Sequence, residues 1–422
     1  MDLKTLAKQK LKLTAIREDS RLQWIGGSAV GLLVVVLALL LAFTTWSGDG
    51  SAAEDKAPAS AVGPEETSDA VVEISPRDGK EKVATSGAVE VGVAHGRLKK
   101  VTVKDAEGKA VEGTFSQQRT VWKPVSHLAT GTKYTVDALA TDADGKQAAK
   151  HASFTTVVPK DTFIGYFTPE DGDKVGAGMP VSINFNRSIA DREAVEKAIT
   201  VTADPEVDIA GHWFGDRRLD FRPKEYWASG TDVTLTLDLN GVRADDGVYG
   251  TQDKTVRFTV DRQQVSVVDA KKKEMVVKKD GKKIKTIPIT AGSDQNPTYN
   301  GKMVISEKHK VTRMNGDTVG FGGEYDIKDV PHAMRLSTSG TFIHGNYWTP
   351  QGQFGQVNTS HGCVGLFDKR GGNSQETPGA WFYDHSKVGD IVEVKNSNDE
   401  TIDPDNGLNG WNMSWHQWKA DE

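Results

Sequence analysis

Only one cysteine, Cys363, occurs in 422 residues. A lone thiol excludes an internal disulfide and any zinc site assembled from several cysteines. Charge of one sign is also missing: 52 basic and 58 acidic residues leave a net charge of −6. So mild a net charge offers no nucleic-acid footprint, which would need a clustered basic face. Long helical patterns are scarce, and the 43 glycines point to a turn-rich, mostly β protein. A chain of this length accommodates roughly two to four domains.

One long uncharged apolar run stands out, Ile25–Phe43, IGGSAVGLLVVVLALLLAF. As a helix it is long enough to cross a bilayer core of about 30 Å. The segment before it carries Lys4, Lys8, Lys10, Lys12, Arg17 and Arg21. The positive-inside rule then places 1–24 in the cytoplasm, 25–46 across the membrane and the rest outside the cell. A cleaved signal peptide is the competing reading, but the run is longer than a signal core and Gly50-Ser51-Ala52 is a weak cleavage site. Residues 47–69, rich in Ala, Ser, Gly, Glu and Pro, are expected to be a flexible linker, because they have too little apolar surface to offset the entropy of ordering.

Alternating strand patterns broken by turns run from 70 to about 260, and they repeat. Pro76-Arg77-Asp78-Gly79 matches Pro169-Glu170-Asp171-Gly172, and Trp122-Lys123-Pro124 matches Phe221-Arg222-Pro223. Gly131-Thr132-Lys133-Tyr134 matches Gly230-Thr231-Asp232-Val233, and Phe154-Thr155 matches Phe258-Thr259. The offset of about 100 residues is the size of one immunoglobulin-like sandwich, so two such domains are expected, 70–159 and 160–262. Asp191–Ala198 is the clearest short helix. The modules read either as a spacer or as a binder of wall polymer; sandwich architecture does not choose between roles.

A new domain begins near Gln264, with short strands at Val265–Val268 and Met275–Val277 and an Asp280-Gly281 hairpin turn. Eight lysines between Lys271 and Lys285 form a solvated face or a weak attraction for anionic polymers. Cys363 lies in Ser360-His361-Gly362-Cys363, and His344 opens a His344-Gly345-Asn346 segment read as a turn. A thiol beside an imidazole base makes a cysteine nucleophile. Cys363 would attack an amide carbonyl to form a thioester, and His344 would take and return the proton. Backbone N–H groups at His361, Gly362 and Cys363 would form the oxyanion hole, with Gly362 letting main chain approach the substrate. Ser360 reads as a structural hydrogen-bonder rather than a nucleophile, and as a contact to substrate. A metal site from His344, His361 and Cys363 lacks a further ligand motif, and no cofactor is expected.

Residues 263–397 resemble the catalytic domain of the L,D-transpeptidases, the YkuD family. The resemblance rests on His344-Gly345, Ser360-His361-Gly362-Cys363-Val364, Trp381-Phe382-Tyr383-Asp384-His385 and Gly389-Asp390-Ile391-Val392-Glu393-Val394. The tail 398–422, with Gly407–Asn412, Trp415 and Trp418, is similar to the C-terminal extension of actinobacterial members and is expected to pack on the catalytic domain. The resemblance implies a β-rich catalytic fold and peptidoglycan stem peptides as substrate. A tetrapeptide stem would donate its acyl group to the side-chain amine of a diamino acid, giving a 3→3 cross-link, and carbapenems would acylate the enzyme. It implies further that the Gly345 carbonyl orients His344 and that His361 lines the site. Met314–Leu336 would form a flexible lid, hinged at Gly322-Gly323, with Met314, Tyr325 and Trp348 against the stem. An L,D-carboxypeptidase on the same scaffold and a non-catalytic wall binder are the alternatives. The chain departs from actinobacterial relatives at Gly365, where they often have asparagine, at Val319, where they often have tyrosine, and in a longer insert, Phe367–Pro378.

Overall fold

The computed structural model describes residues 67–318 and 322–420. The basic segment 1–24, the expected anchor 25–46 and residues 47–66 of the expected linker lie outside the described residues. Among those described, no helix is long and apolar enough to cross a membrane. The last linker residues are tied down: the Ser68 hydroxyl and the Asp69 N–H each donate to the Asp142 carboxylate at 3.0 Å.

The protein is mostly β. Strands Val71–Ser75, Glu90–Ala94, Val121–Pro124 and Gly113–Phe115 make one sheet, and Lys80–Val83, Gln147–Thr156, Lys133–Thr141 and Arg97–Asp105 a second. Their inner faces enclose Val91, Leu98, Trp122, Val136 and Phe154. Strict alternation in Lys133–Thr141 sends Tyr134, Val136, Ala138 and Ala140 inward. A second pair of four-stranded sheets, with a small three-stranded one, follows from Asp161 to Arg262. It surrounds Val181, Ile183, Leu219, Trp227 and Leu235. The helix α1, Arg192–Lys197, starts at Asp191, whose side chain accepts from the Ala194 N–H.

The sequence repeat is a repeat of hydrogen bonds. Gly79 N–H donates to Ser153 O and Gly172 N–H to Arg257 O, while Gly131 N–H donates to Val157 O and Gly230 N–H to Val260 O. Asp78 accepts from Ser153 N–H as Asp171 accepts from Arg257 N–H.

The last region is a curled nine-stranded sheet. In chain order its strands are β1 Gln264–Asp269, β2 Glu274–Lys279, β3 Lys282–Thr290, β4 Gly301–Val304, β5 Glu307–Asn315, β6 Asp326–Arg335, β7 Phe342–Asn346, β8 Val364–Phe367 and β9 Ile391–Lys395. They lie in the order β4-β9-β1-β2-β3-β8-β7-β6-β5, with β1–β9 and β7–β8 parallel. Asp280 (φ 49°) and Gly281 (φ 75°) turn β2 into β3 with the two left-handed residues that a tight hairpin needs. Lys278, Lys279, Lys282 and Lys283 are exposed at that end. Val268, Met275, Ile287, Ile343, Val364 and Leu366 form the core with Phe382 of α2, Pro378–Asp384.

The tail packs more widely than expected. Asn409 and Asn412 accept from Val304 N–H at 3.0 Å and Lys302 N–H at 2.8 Å, which ties it to the nine-stranded sheet. But the Trp411 indole donates to Gly178 O at 2.7 Å and Trp418 to Ala210 O at 2.9 Å, both on the preceding sandwich. The Arg222 guanidinium lies against the rings of Trp411, Trp415 and Trp418, and its burial lowers its pKa to about 10. The tail therefore straps two regions together, because its tryptophans need both an apolar seat and an acceptor for each indole N–H.

Candidate active site

Strands β7 and β8 run side by side with Ile343 opposite Val364 and His344 opposite Gly365. Ile343 and Val364 point into the core. Alternation then puts His344, Gly365 and Cys363, two residues before Gly365, on the other face of adjacent strands. The segment His344-Gly345-Asn346, read as a turn, is instead the buried end of β7. Gly345 serves packing there: a Cβ would sit 2.4 Å from the Asp368 carboxylate.

His344 Nδ1 is 2.9 Å from Gly345 O. A carbonyl only accepts, so Nδ1 carries the proton and Nε2 the lone pair. Trp348 stacks on this ring at 5.5 Å and remains 40% exposed, so one indole face packs on the imidazole while the side chain stays reachable. Burial lowers the pKa of His344, against the pull of the Gly345 carbonyl. Cys363 keeps partial access to solvent, and its thiol lies 3.8 Å from Gly340 O. Burial pushes that thiol up to about 11, although a backbone hydrogen bond at Phe342 favours the thiolate.

Both shifts favour uncharged forms, a thiol at Cys363 and a neutral imidazole at His344. Alkylation of Cys363 by iodoacetamide should therefore be slow at pH 7 and climb toward pH 11. A rate already saturated at pH 7 would mean a preformed thiolate and contradict this.

The loop before β8 turns at Gly362. Gly362 has φ +102° and an added Cβ would meet nothing closer than Pro297 O at 3.5 Å. Conformation, rather than space within the protein, requires glycine here. Ser360 donates to Cys363 O at 2.5 Å, so its hydroxyl closes the turn. The segment expected as a lid, Met314–Leu336, runs from the end of β5 through β6, and Val319 lies outside the described residues. Gly322 and Gly323 both have positive φ, 52° and 80°. Glu324 contacts His361 Nε2 at 3.1 Å, and the Tyr325 ring lies 5.2 Å from that of His361. Burial raises the Tyr325 phenol to about 12, with a smaller contribution from Cys363. Met314 sits half-buried on the hairpin, paired with Ile327. Gly365 is walled in: a Cβ would lie 2.8 Å from Thr290 and 3.2 Å from the Asn346 amide, leaving no room for asparagine without rearrangement.

Several contributors escaped sequence reading. Asn346 accepts from the N–H groups of Trp348 and Thr349 at 3.2 and 3.0 Å, seating Trp348 over His344. Asp368, in the Phe367–Pro378 insert, is buried with His332 and Thr377. An Asn followed by Thr three places on was the available signal for the first; nothing local marked the second. Open grooves of about 720 Å³ lie on the second sandwich, one lined by His212, Trp213 and Lys419, and neither includes Cys363 or His344.

Residues 263–394 match the family described as L,D-transpeptidase catalytic domain. Over 346 residues the chain is 34% identical to L,D-transpeptidase 2 of Mycobacterium tuberculosis (strain CDC 1551 / Oshkosh), covering 81% of this chain and 82% of that protein. The chain belongs to the L,D-transpeptidases. L,D-transpeptidase 5 of M. tuberculosis (strain ATCC 25618 / H37Rv) is 32% identical over 350 residues, 81% of this chain and 75% of the relative. Residues 80–243 match the bacterial Ig domain family, a stretch that spans parts of both sandwiches. Among solved structures, an LD transpeptidase in complex with imipenem aligns with a TM-score of 0.47 at 24% identity, covering 56% of this chain and all of that one. L,D-transpeptidase 3 from M. tuberculosis with a faropenem-derived adduct aligns at 0.44 and 22%, over 55% and 97%.

Proposed function

We propose that this L,D-transpeptidase forms 3→3 cross-links in peptidoglycan through a thioester on Cys363. The carrying observation is the shared face of β7 and β8, with His344 Nδ1 committed to Gly345 O. That commitment leaves Nε2 to take the thiol proton as sulfur attacks the carbonyl between the third stem residue and the terminal D-alanine. The developing oxyanion is held by backbone N–H groups of the 361–363 loop, whose turn the positive φ of Gly362 sets. His344 returns the proton to departing D-alanine, then deprotonates the diamino acid amine that attacks the thioester. An amide forms and the thiol is regenerated. Trp348 and Tyr325 flank the stem peptide, His361 and Ser360 maintain the loop, and Met314 contacts substrate from the lid. Residues 70–159 and 160–262 act as immunoglobulin-like spacers, and 25–46 as a single-pass anchor that keeps the catalytic domain on the wall side of the membrane. Carbapenems acylate the same sulfur, in keeping with the imipenem and faropenem-derived complexes of relatives.

Defined tetrapeptide stems given to the purified protein should yield dimers lacking one D-alanine by mass. Tripeptides alone would make water the acceptor and the enzyme an L,D-carboxypeptidase. Unchanged stems, with no carbapenem adduct on folded protein, would leave only a wall binder.

A further inference from the structure

We infer that Asp368, held by His332 and Thr377, is a positioning residue that fixes the Gly345 carbonyl and through it the tautomer of the His344 base. The inference rests on the reading of His344 given above. The side chain of Asp368 is fully enclosed and that of His332 is only 4% exposed. The carboxylate accepts from His332 Nδ1 at 2.7 Å, from the Thr377 hydroxyl at 2.6 Å and from the Lys369 N–H at 2.7 Å. Three donors satisfy a buried carboxylate and lock its orientation.

That locked group bears on the peptide that orients the base. A Cβ at Gly345 would lie 2.4 Å from Asp368 Oδ2, so the carboxylate rests on the Gly345 Cα itself. The Asp368 N–H donates to Asn346 O at 3.3 Å. The Gly345–Asn346 peptide is thus bounded by the Asp368 side chain on one side and its main chain at the next carbonyl. This is the peptide whose oxygen holds His344 Nδ1. A base whose second nitrogen has a fixed partner presents one tautomer; a mobile partner allows both, and the Nε2–H form cannot accept the thiol proton. Asp368 acts through Gly345, on which its carboxylate rests. His332 in turn has φ +51° and packs on the Tyr383 ring at 5.0 Å, which anchors the pair to α2.

The test uses the protein with Asp368→Asn, which keeps shape and removes charge, and with His332→Asn, since asparagine tolerates a left-handed backbone. Two readouts are taken: the His344 ring by ¹⁵N NMR, and imipenem acylation as a function of concentration. The wild type should show a single Nδ1–H tautomer. Both variants should show mixed tautomers, and the maximal acylation rate should fall about tenfold with the half-saturating concentration within twofold. If Asp368→Asn does not fold, His332→Asn carries both measurements. A single Nδ1–H tautomer and a wild-type rate in a folded variant would overturn the inference. Failure of imipenem to acylate the wild type would count against the proposed function instead, and the tautomer readout would still decide this inference.

Discussion

Replacing Cys363 with serine should abolish cross-link formation, lowering turnover by at least about a thousandfold, and should leave no carbapenem adduct by intact mass. The size follows from the site. His344 is buried and its pKa is depressed, so it is a weak base, adequate for a thiol and poor for an alcohol, whose pKa lies several units higher. The single cysteine leaves no second thiol, and Ser360 is committed to the Cys363 carbonyl. Serine is close to cysteine in size and shape, so folding should survive and lost activity will be chemical. Retention of normal cross-linking by Cys363→Ser would remove the assigned role.

The largest expected loss of stability lies away from the chemistry. Arg262, at the end of the second sandwich, grips both oxygens of Asp390, the nearer at 2.5 Å, with 1% of the Asp390 side chain exposed. Removing one member of such a pair leaves an uncompensated buried charge, at a cost of about 3–5 kcal/mol. Arg262→Met should lose that much at neutral pH in urea unfolding. The pH dependence has a definite sign. Burial already raises the Asp390 pKa against the opposing pull of Arg262, and without Arg262 it rises further. A carboxyl raised in the folded state favours folding while protonated and loses that advantage as pH rises through its folded value. The deficit should therefore be larger at pH 8 than at pH 5. A loss below about 1 kcal/mol at pH 8, or one that grows in acid, would contradict this account of the junction.

Much of the architecture was legible because it is periodic. The strand alternation between 70 and about 260 and the hundred-residue repeat both report on one face meeting a core, which is a local property of strands. The helix was legible as the short run Asp191–Ala198, which the structure bounds at Arg192–Lys197, and the β2–β3 hairpin through Asp280-Gly281. Gly345 was misjudged for the converse reason. A glycine in sequence signals a turn, while its cause here is Asp368, a contact between residues 23 positions apart that only folding creates. The tail was half read: its tryptophans announced burial but not which surfaces would receive them.

Composition and motif alone settled that one thiol is available, that histidines accompany it, and that the chain is turn-rich β. Those are inventories of chemical groups and local periodicities, which the covalent chain carries by itself. Three things awaited tertiary structure: the parallel pairing that sets Cys363 and His344 on one face, the protonation states imposed by burial, and the Asp368–His332 support behind Gly345. Each depends on which distant groups exclude water from one another, and that exclusion exists only once the sheet has formed.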